Sequence, residues 1–240
     1  MSRIDNLVGE SLRIFEQLME KSERPILSYS GGKDSLVVAL LIQEAGLSDY
    51  VQANVCDSSF YFTKQLEDIK QMAQDLRVTV EYPDSLDTDW LLRHPKVLFS
   101  PSSDVRGWFF TVRHQKTVAD FAKRHNNDAI LFGRRKQENT VNSPLYYVKG
   151  GKFWSCHPVR EWLHGDIWEY LKDRDVPEPW MYSTPFKRNA PYVSARPKDV
   201  DYWMESRGAQ SSDDYRSKAW DLVISMDPKL KEMRELFNAS

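Results

Sequence analysis

The sequence predicts an α/β fold, in which a doubly wound, mostly parallel, twisted sheet is flanked by helices. Three observations predict it. Short apolar segments alternate with amphipathic ones, the distance between the apolar segments suits helical crossovers, and a chain of 240 residues can bury the core of such a sheet. Hydrophobic residues make up 41% of the chain and charged residues 28%, which is typical of a globular protein.

The individual elements follow from apolar periodicity and from the residues that interrupt it. Pro25 separates the first helix from the first strand, and Gly46 caps a second helix that is apolar on nearly every side and is therefore expected to be buried. The predicted helices cover residues 5–20, 35–46, 62–76, 110–123 and a segment around 167–171. The predicted strands cover residues 26–29, 51–56, 78–80 and 129–132, with a hairpin over 146–154.

Two stretches do not follow this alternation. Prolines interrupt residues 84–106, which we interpret as a loop region with short helical pieces beside an active site. The pattern loosens again toward the end of the chain, before a final helix around 219–237. We therefore predict a main α/β domain over residues 1–182, with an N-terminal helix in 1–22, and a less regular C-terminal extension over 183–240 that is a lid or a partner-binding segment.

Composition excludes several classes of protein. Lys and Arg number 33 against 35 for Asp and Glu, so the chain is not basic throughout, although a local basic groove is compatible with this balance. Two cysteines, Cys56 and Cys156, are too few for a disulfide framework or a four-thiolate metal site in one chain. No apolar run approaches the roughly 20 residues of a membrane span, and the amino terminus lacks a signal-peptide core, so we expect a soluble, cytoplasmic protein without membrane contact.

The segment Ser30-Gly31-Gly32-Lys33-Asp34-Ser35 lies between the first strand and the buried helix. Glycines in such a turn let the backbone approach an anion, and the first N–H groups of the helix point toward it. Lys33 adds a positive charge, and the hydroxyls of Ser30 and Ser35 are further donors. Asp34 would repel a phosphate unless a divalent cation lay between them, so the segment predicts a magnesium–polyphosphate site with Asp34 as a metal ligand.

Other phosphate motifs fit this segment less well. A Walker A loop needs Ser or Thr directly after Gly-Lys, where this chain has Asp34. It also needs a glycine five positions before the glycine of Gly-Lys, where this chain has Leu27. The chain contains no G-x-G-x-x-G, so a dinucleotide fingerprint is unsupported. A tight Gly-Gly turn followed by a Ser/Asp helix cap is the purely structural alternative.

The segment resembles the S-G-G-x-D-S signature of the PP-loop ATP pyrophosphatase superfamily, and it stands at the strand-to-helix junction that the mechanism requires. The resemblance implies an adenine nucleotide alpha hydrolase-like fold and ATP as the nucleotide. It also implies that residues 30–35 hold the pyrophosphate end of ATP while the α-phosphorus is attacked, which gives an adenylylated intermediate and pyrophosphate.

Within the superfamily, Lys33 at the variable position and Tyr29 ahead of the loop look like the branch that contains phosphoadenylylsulfate (PAPS) reductase and the small subunit of sulfate adenylyltransferase. The resemblance implies that an arginine in the element beginning at Gly133 contacts phosphate or sulfate, and that Gly133 and Asp57 are nucleotide-binding residues. Three segments carry it beyond the loop: Asp57-Ser58-Ser59-Phe60, Gly133-Arg134-Arg135-x-x-Glu138, and the run from His157-Pro158 to Tyr170-Leu171.

These segments also have physical interpretations of their own. Asp57 follows a strand, at the edge where open α/β sheets bind ligands, so we expect it to contact ribose or magnesium. The alternative is that Asp57 is the N-cap of a helix. The planar guanidinium groups of Arg134 and Arg135 are suited to binding a dianionic group. The alternative is that the two arginines form a solvated pair on the surface. The apolar residues of the last segment have the spacing of one buried helix face and are assigned to core packing: Trp162, Ile167, Trp168 and Leu171.

The chain departs from the reductases of this branch in its cysteines. Those enzymes carry a nucleophilic cysteine in a C-terminal Glu-Cys-Gly-Leu-His-like tail, but residues 183–240 contain none. The paired cysteines of the iron–sulfur relatives are absent too, so no iron–sulfur cluster is expected. Cys56 closes an apolar strand and is interpreted as a small buried hydrophobe. Cys156 stands beside His157, as a thiolate near a base would, although adjacent side chains on a strand point to opposite faces.

The resulting hypothesis is Mg·ATP-dependent, AMP-forming adenylyl transfer with release of pyrophosphate, which the resemblance links to sulfur metabolism or sulfur modification. Lys33 would stabilise the departing pyrophosphate, and Asp34 would help to hold Mg²⁺. Arg134 and Arg135 would orient an anionic acceptor or the α-phosphate. Sulfate, a carboxylate and a nucleobase carbonyl stay open as the acceptor.

Three alternatives stay open as well. In the first alternative, the chain is a PAPS reductase family member that uses an unusual thiol or a partner's thiol. In the second, it is a nucleotide-binding subunit that is inactive without a partner. A nucleic-acid-binding module is the third, because the stretch from Arg106 to His114 combines basic and aromatic residues. The expected partners are a nucleotide and an anionic acceptor, with a second copy of the chain or a different subunit.

Overall fold

The computed structural model describes residues 2–55, 63–81, 116–137 and 142–183, together with Lys231, Glu232 and Glu235. The helices in these residues are α1 (Arg3–Met19), α2 (Lys33–Glu44), α3 (Thr63–Asp75), α4 (Lys116–Arg124), α5 (His164–Lys172) and α6 (Trp180–Ser183). The strands there are β1 (Pro25–Tyr29), β2 (Gln52–Val55), β3 (Val80–Glu81), β4 (Ala129–Phe132), β5 (Leu145–Val148) and β6 (Phe153–Cys156). The predictions for Cys56, Asp57, residues 84–106 and Glu138 lie outside the described residues. Of the predicted final helix only the three positions above are described, and they are helical.

In the described part of the chain, six strands form one sheet in the order β3-β2-β1-β4-β6-β5. Neighbouring strands are parallel except for β5 and β6, which form the predicted antiparallel hairpin. The first strand, β1, therefore lies in the middle of the sheet, with β2 on one side of it and β4 on the other. The predicted α/β, doubly wound class is confirmed.

The helix α2 is buried along most of its length, as its composition predicts. Every residue from Leu36 to Ile42 is buried, and the helix packs on β1 and against α1 and α5. Burying an aliphatic side chain of this size contributes about 1.5–3 kcal/mol. The position of α2 is therefore firmly fixed by the core, which makes its first turn a rigid support for a binding site.

Several element boundaries differ by a few residues from those predicted from the sequence, and two of these differences have a clear local cause. Helix α2 begins at Lys33, earlier than predicted, because Gly32 has extended backbone angles and serves as the N-cap. Strand β3 begins at Val80, later than predicted, because the C-terminal turn of α3 extends to Val78, whose N–H donates to the carbonyl oxygen of Ala73 at 2.8 Å.

The chain divides into two compact units. The first comprises residues 1–56, 69–83 and 118–179, and the second comprises residues 57–68, 84–117 and 180–240. The described sheet and every site residue discussed below belong to the first unit. The boundary predicted at residue 182 stays a prediction. No helix within the described ranges is long and apolar enough to cross a membrane.

The carboxyl ends of β1 and β4 lie side by side at the point where the strand order reverses. Residues 30–32 leave β1 and residues 133–135 leave β4 at the same edge of the sheet. Open α/β sheets bind ligands at this switch point. The fold therefore brings together the two segments that the sequence analysis selected.

Candidate functional site

The turn after β1 requires glycine at its second position. Gly31 has a φ of 67°, in the left-handed region that L side chains rarely adopt. A Cβ atom there would lie 2.2 Å from Cγ1 of Ile69 in α3. Gly32, which follows, is the N-cap of α2 and has no side chain with which to cap the helix. The first turn of α2 therefore presents main-chain amide groups, as an anion site requires.

Ser30 and Ser35 hold this turn in shape. Ser35 Oγ donates to the carbonyl oxygen of Gly32 at 2.9 Å and accepts from the N–H of Ser30 at 3.2 Å. Ser30 Oγ accepts from the N–H of Gly32 at 3.3 Å and lies 3.1 Å from Ser35 Oγ. The sequence predicts both hydroxyls as ligand donors, whereas Ser35 uses its proton inside the turn. Ser35 thus shapes the backbone that would receive an anion.

Asp34 lies between two buried cations. Nε of Arg135 lies 2.7 Å from Oδ1 of Asp34, and Nζ of Lys33 contacts Oδ2. Lys33 and Arg135 are 1% and 0% exposed, and Nη1 of Arg135 also donates to Gln137 at 3.0 Å. Counted over these three residues, two cations and one carboxylate give a net positive charge where little water screens it. That charge lies at the positive end of the α2 dipole, and both attract an anion.

The chemistry of Asp34 is compatible with a divalent cation. Each carboxylate oxygen has two lone pairs, so the hydrogen bonds from Lys33 and Arg135 leave acceptor capacity for Mg²⁺. No group of three or more His, Cys, Asp or Glu side chains that could hold a metal occurs among the described residues, and Asp57, the other predicted ligand, lies outside them. Mg²⁺ is commonly bound by one or two carboxylates together with substrate phosphates. Asp34 therefore fits a cation that arrives with a polyphosphate.

Gly133 brings the end of β4 against the first turn of α2. A Cβ atom on Gly133 would lie 2.7 Å from the carbonyl carbon of Asp34 and 2.7 Å from the backbone nitrogen of Ser35. Backbone atoms cannot move aside without displacing the helix. Close packing thus explains the glycine, which the sequence analysis grouped with the nucleotide-binding residues.

The two adjacent arginines, which the sequence analysis treated as a pair, have different environments. Arg135 is buried and bonded to Asp34 and Gln137. Arg134 is only partly buried, and its guanidinium lies 4.5 Å from the centroid of the Phe132 ring. Arg135 therefore joins Lys33 and Asp34 in one charged cluster at the first turn of α2, and Arg134 lies nearer to solvent at the same edge of the sheet.

Cys156 at the end of β6 is completely buried. Burial raises the pKa of its thiol above the usual range, so the group stays protonated at neutral pH. The neighbouring His157 directs Nε2 to Ser155 Oγ at 2.9 Å. The thiolate–base pair that the sequence left open is therefore not supported by the structure.

The imidazole of His157 forms part of an aromatic stack. Its ring is parallel to those of Phe132 and Tyr146, at centroid distances of 5.5 and 5.7 Å. Burial, and then the charges of Arg134 and Arg160, lower the pKa of His157 to about 4. The ring is therefore neutral near pH 7 and packs as an aromatic side chain.

His164, the first residue of α5, received no role in the sequence analysis. Partial burial lowers the pKa of its imidazole, Lys33 and Arg135 lower it further, and Asp34 opposes them. These three residues form the charged cluster at the first turn of α2, so His164 lies within electrostatic reach of that cluster. In the sequence, His164 is distinguished only by its position four residues ahead of Trp168. Its proximity to the charged residues of α2 depends on the packing of α5 beside α2, which the sequence does not show. Trp168, assigned to the core, is partly exposed instead.

Comparison with known proteins identifies a family and named relatives. The phosphoadenosine phosphosulfate reductase domain family matches residues 24–189. Sulfate adenylyltransferase subunit 2 of Streptomyces lavendulae is 24% identical over 217 residues, which are 76% of this chain and 63% of that protein. The protein of the same name from Burkholderia lata is 23% identical over 226 residues, which are 80% of this chain and 71% of that protein. The chain thus spans less than two thirds of the Streptomyces relative.

Solved structures share the fold at low sequence identity. PAPS reductase from Candida auris, in a phosphate complex, has a TM-score of 0.59 at 14% identity, over 76% of this chain and 92% of that one. NH3-dependent NAD synthetase from Campylobacter jejuni has a TM-score of 0.55 at 16% identity, over 99% of this chain and 93% of that one. These similarities confirm the predicted adenine nucleotide alpha hydrolase-like fold.

Proposed function

The chain belongs to the phosphoadenosine phosphosulfate reductase domain family, and on that premise we propose that it binds Mg·ATP and transfers the adenylyl group to an anionic acceptor with release of pyrophosphate. The observation that carries the proposal is the cluster of Lys33, Asp34 and Arg135 at the first turn of α2. Its positive charge, the glycine turn and the helix N terminus all suit the pyrophosphate end of a nucleotide. The names of the two relatives support adenylyl transfer as the reaction.

The proposed step breaks one phosphoanhydride bond. An acceptor oxygen attacks the α-phosphorus, the bond from that phosphorus to the bridging oxygen breaks, and pyrophosphate leaves with the electron pair. Lys33 and Arg135 favour the step because negative charge grows on the departing pyrophosphate. Asp34 already holds both cations in place, so little reorganisation is needed when the bond breaks. Asp34 would help to hold Mg²⁺ that arrives with the nucleotide, and the ion would supply further neutralisation of charge.

Arg134 is the side chain we assign to the acceptor. It follows β4 at the ligand-binding edge and is partly exposed over the Phe132 ring. Its planar guanidinium can donate two hydrogen bonds to a carboxylate or to a tetrahedral oxyanion. Because both relatives are named sulfate adenylyltransferase subunit 2, sulfate is the first acceptor to test. Short carboxylic acids and nucleic acids follow.

A nucleotide-binding subunit that acts only with a partner chain is the second candidate. The relatives' names support it, since each is called subunit 2. Under this alternative the isolated chain binds ATP but releases no pyrophosphate. A reductase that uses Cys156 has less support, because burial keeps that thiol protonated.

One experiment separates these candidates. Pyrophosphate release from Mg·ATP by the isolated chain is measured with sulfate, short carboxylic acids and nucleic acids in turn, and ATP binding is measured in parallel by calorimetry. We expect acceptor-dependent release by the wild type and none by Lys33→Met. ATP binding without release in any mixture would favour the partner-dependent subunit. A chain that binds no ATP would contradict both candidates.

A further inference from the structure

The helices α2 and α5 lie side by side and run in the same direction. Each follows a strand of the parallel part of the sheet, β1 or β6, so each begins near the carboxyl edge. Their C-terminal ends meet at Glu44, whose Oε1 accepts from Tyr170 Oη at 2.7 Å and from Arg174 Nε at 2.6 Å. Their first residues, Lys33 and His164, therefore lie at the same edge of the sheet as the turn after β1.

Trp168 fixes the tautomer of His164. Its indole Nε1 lies 3.2 Å from Nε2 of His164, and the two rings meet edge to face at a centroid distance of 6.3 Å. An indole N–H can only donate, so Nε2 must be the acceptor and carries no proton. In the neutral imidazole the proton is therefore on Nδ1. Trp168 thus leaves His164 with a hydrogen-bond donor at Nδ1.

The charges around His164 keep the imidazole neutral. Partial burial, Lys33 and Arg135 each lower its pKa, and only Asp34 acts in the other direction. The first turn of α5 also disfavours a positive charge, because the N-terminal end of a helix dipole is positive. A neutral imidazole with its proton on Nδ1 is a donor that adds no repulsion to Lys33 and Arg135.

We propose that His164 is a binding residue for the polyphosphate, donating from Nδ1 to an oxygen of the pyrophosphate group that the loop after β1 holds, and that Trp168 is the positioning residue that keeps the proton on that nitrogen. This inference rests on the proposed function. It adds a donor from α5 to the groups on α2 and after β4. The site then contacts pyrophosphate from three sequence segments.

Inorganic pyrophosphate with Mg²⁺ is the probe, and its dissociation constant is measured by calorimetry at pH 7.5. His164→Leu removes the donor and is expected to weaken binding about tenfold, as loss of a hydrogen bond to a charged group does. His164→Asn places an amide N–H near the position of Nδ1 and is expected to stay within about threefold of the wild type. Trp168→Phe keeps a ring but loses the indole donor, and is expected to weaken binding by less than His164→Leu.

The exposed His125 provides a matched control, since it follows α4 and stacks on Phe121 of that helix at a centroid distance of 4.2 Å. His125→Leu is expected to bind pyrophosphate like the wild type. Equal affinity of His164→Leu and the wild type would overturn the inference, as would an equal loss in His164→Leu and His164→Asn, which would indicate a merely structural role. If wild type and Lys33→Met bound pyrophosphate equally, or neither bound it, the proposed function itself would fail.

Discussion

Arg135 and Asp34 join two distant segments of the chain: Nε of the arginine lies 2.7 Å from Oδ1 of the aspartate, so the segment after β4 is tied to the first turn of α2. The arginine side chain is completely buried, whereas that of Asp34 retains 16% exposure. A buried guanidinium is stable only while it is paired. The pair therefore positions the loop and also provides the charge that an anion would meet.

Breaking this pair should destabilise the protein more than removing its neighbour. Arg135→Met leaves Asp34 with Lys33 alone and removes the bond across the β4–α2 junction, so we expect a loss of about 2–4 kcal/mol in the free energy of unfolding. Arg134→Met, one residue away and partly exposed, should cost about 1 kcal/mol or less. Urea denaturation of both variants tests this expectation. Equal stability of the two variants would show that burial of Arg135 contributes nothing of its own.

Lys33→Met should abolish pyrophosphate release while leaving the fold intact. The substitution keeps the length of the buried side chain but removes the charge that we assign to the leaving group, and the loss of one such electrostatic contact lowers rates by about a hundredfold or more. Lys136→Met, at an exposed position, is the control and should release pyrophosphate at the wild-type rate. Circular dichroism of both variants verifies the fold. Undiminished release by Lys33→Met would contradict its assigned role.

Gly31 and Gly46 allow backbone strain to be separated from steric overlap. Their φ angles are 67° and 68°, but only at Gly31 would a Cβ meet another side chain, Cγ1 of Ile69 at 2.2 Å. Alanine at Gly46 should cost about 1 kcal/mol of unfolding free energy from φ alone. Alanine at Gly31 should cost at least about 1 kcal/mol more, because it also overpacks the contact with α3.

Ile69→Ala supplies the test of that difference. In a double-mutant cycle, the change from Gly31 to Ala should be less costly when Ile69 has already been shortened, whereas Gly46→Ala should show no coupling to it. The measurement is urea denaturation of the single and double variants. Additive effects at Gly31 would contradict the predicted overlap.

The sequence predicted much of this arrangement because its strongest signals are local. The glycine turn, the all-apolar α2 and the strand-helix alternation are properties of adjacent residues, and the structure confirms the α/β class that they predict. The different environments of Arg134 and Arg135 depend on which of them meets Asp34 across the sheet, so sequence order cannot distinguish them. The position of His164 depends likewise on the packing of α5 against α2.

The stability of the protein should fall in mild acid because of His157. Its pKa is about 4 in the folded state against the ordinary 6.5, so the unfolded chain binds the proton more tightly. The contribution of the neutral ring to the free energy of unfolding is complete above pH 6.5 and is lost as the pH falls from 6.5 toward 4. Between pH 7 and pH 5 this amounts to about 2 kcal/mol.

His157→Phe keeps an aromatic ring between Phe132 and Tyr146 but cannot titrate. Its unfolding free energy should therefore depend less on pH than that of the wild type over the range from pH 7 to 5. Urea denaturation at several pH values measures both proteins, and the difference between them isolates the contribution of this one side chain. Parallel pH profiles would show that His157 is not held neutral by its surroundings.

The thiols should be dispensable for catalysis. Cys156 is completely buried and burial raises its pKa, so the thiolate that sulfur chemistry requires is not formed near neutral pH. Cys156→Ala should lower the free energy of unfolding by about 1–2 kcal/mol through the small cavity it leaves, yet release pyrophosphate at the wild-type rate. The double variant with Cys56→Ser extends the test to both cysteines of the chain. Loss of pyrophosphate release in a variant that still binds Mg·ATP would contradict this prediction, because it would show that a thiol takes part in the reaction while the nucleotide site is intact.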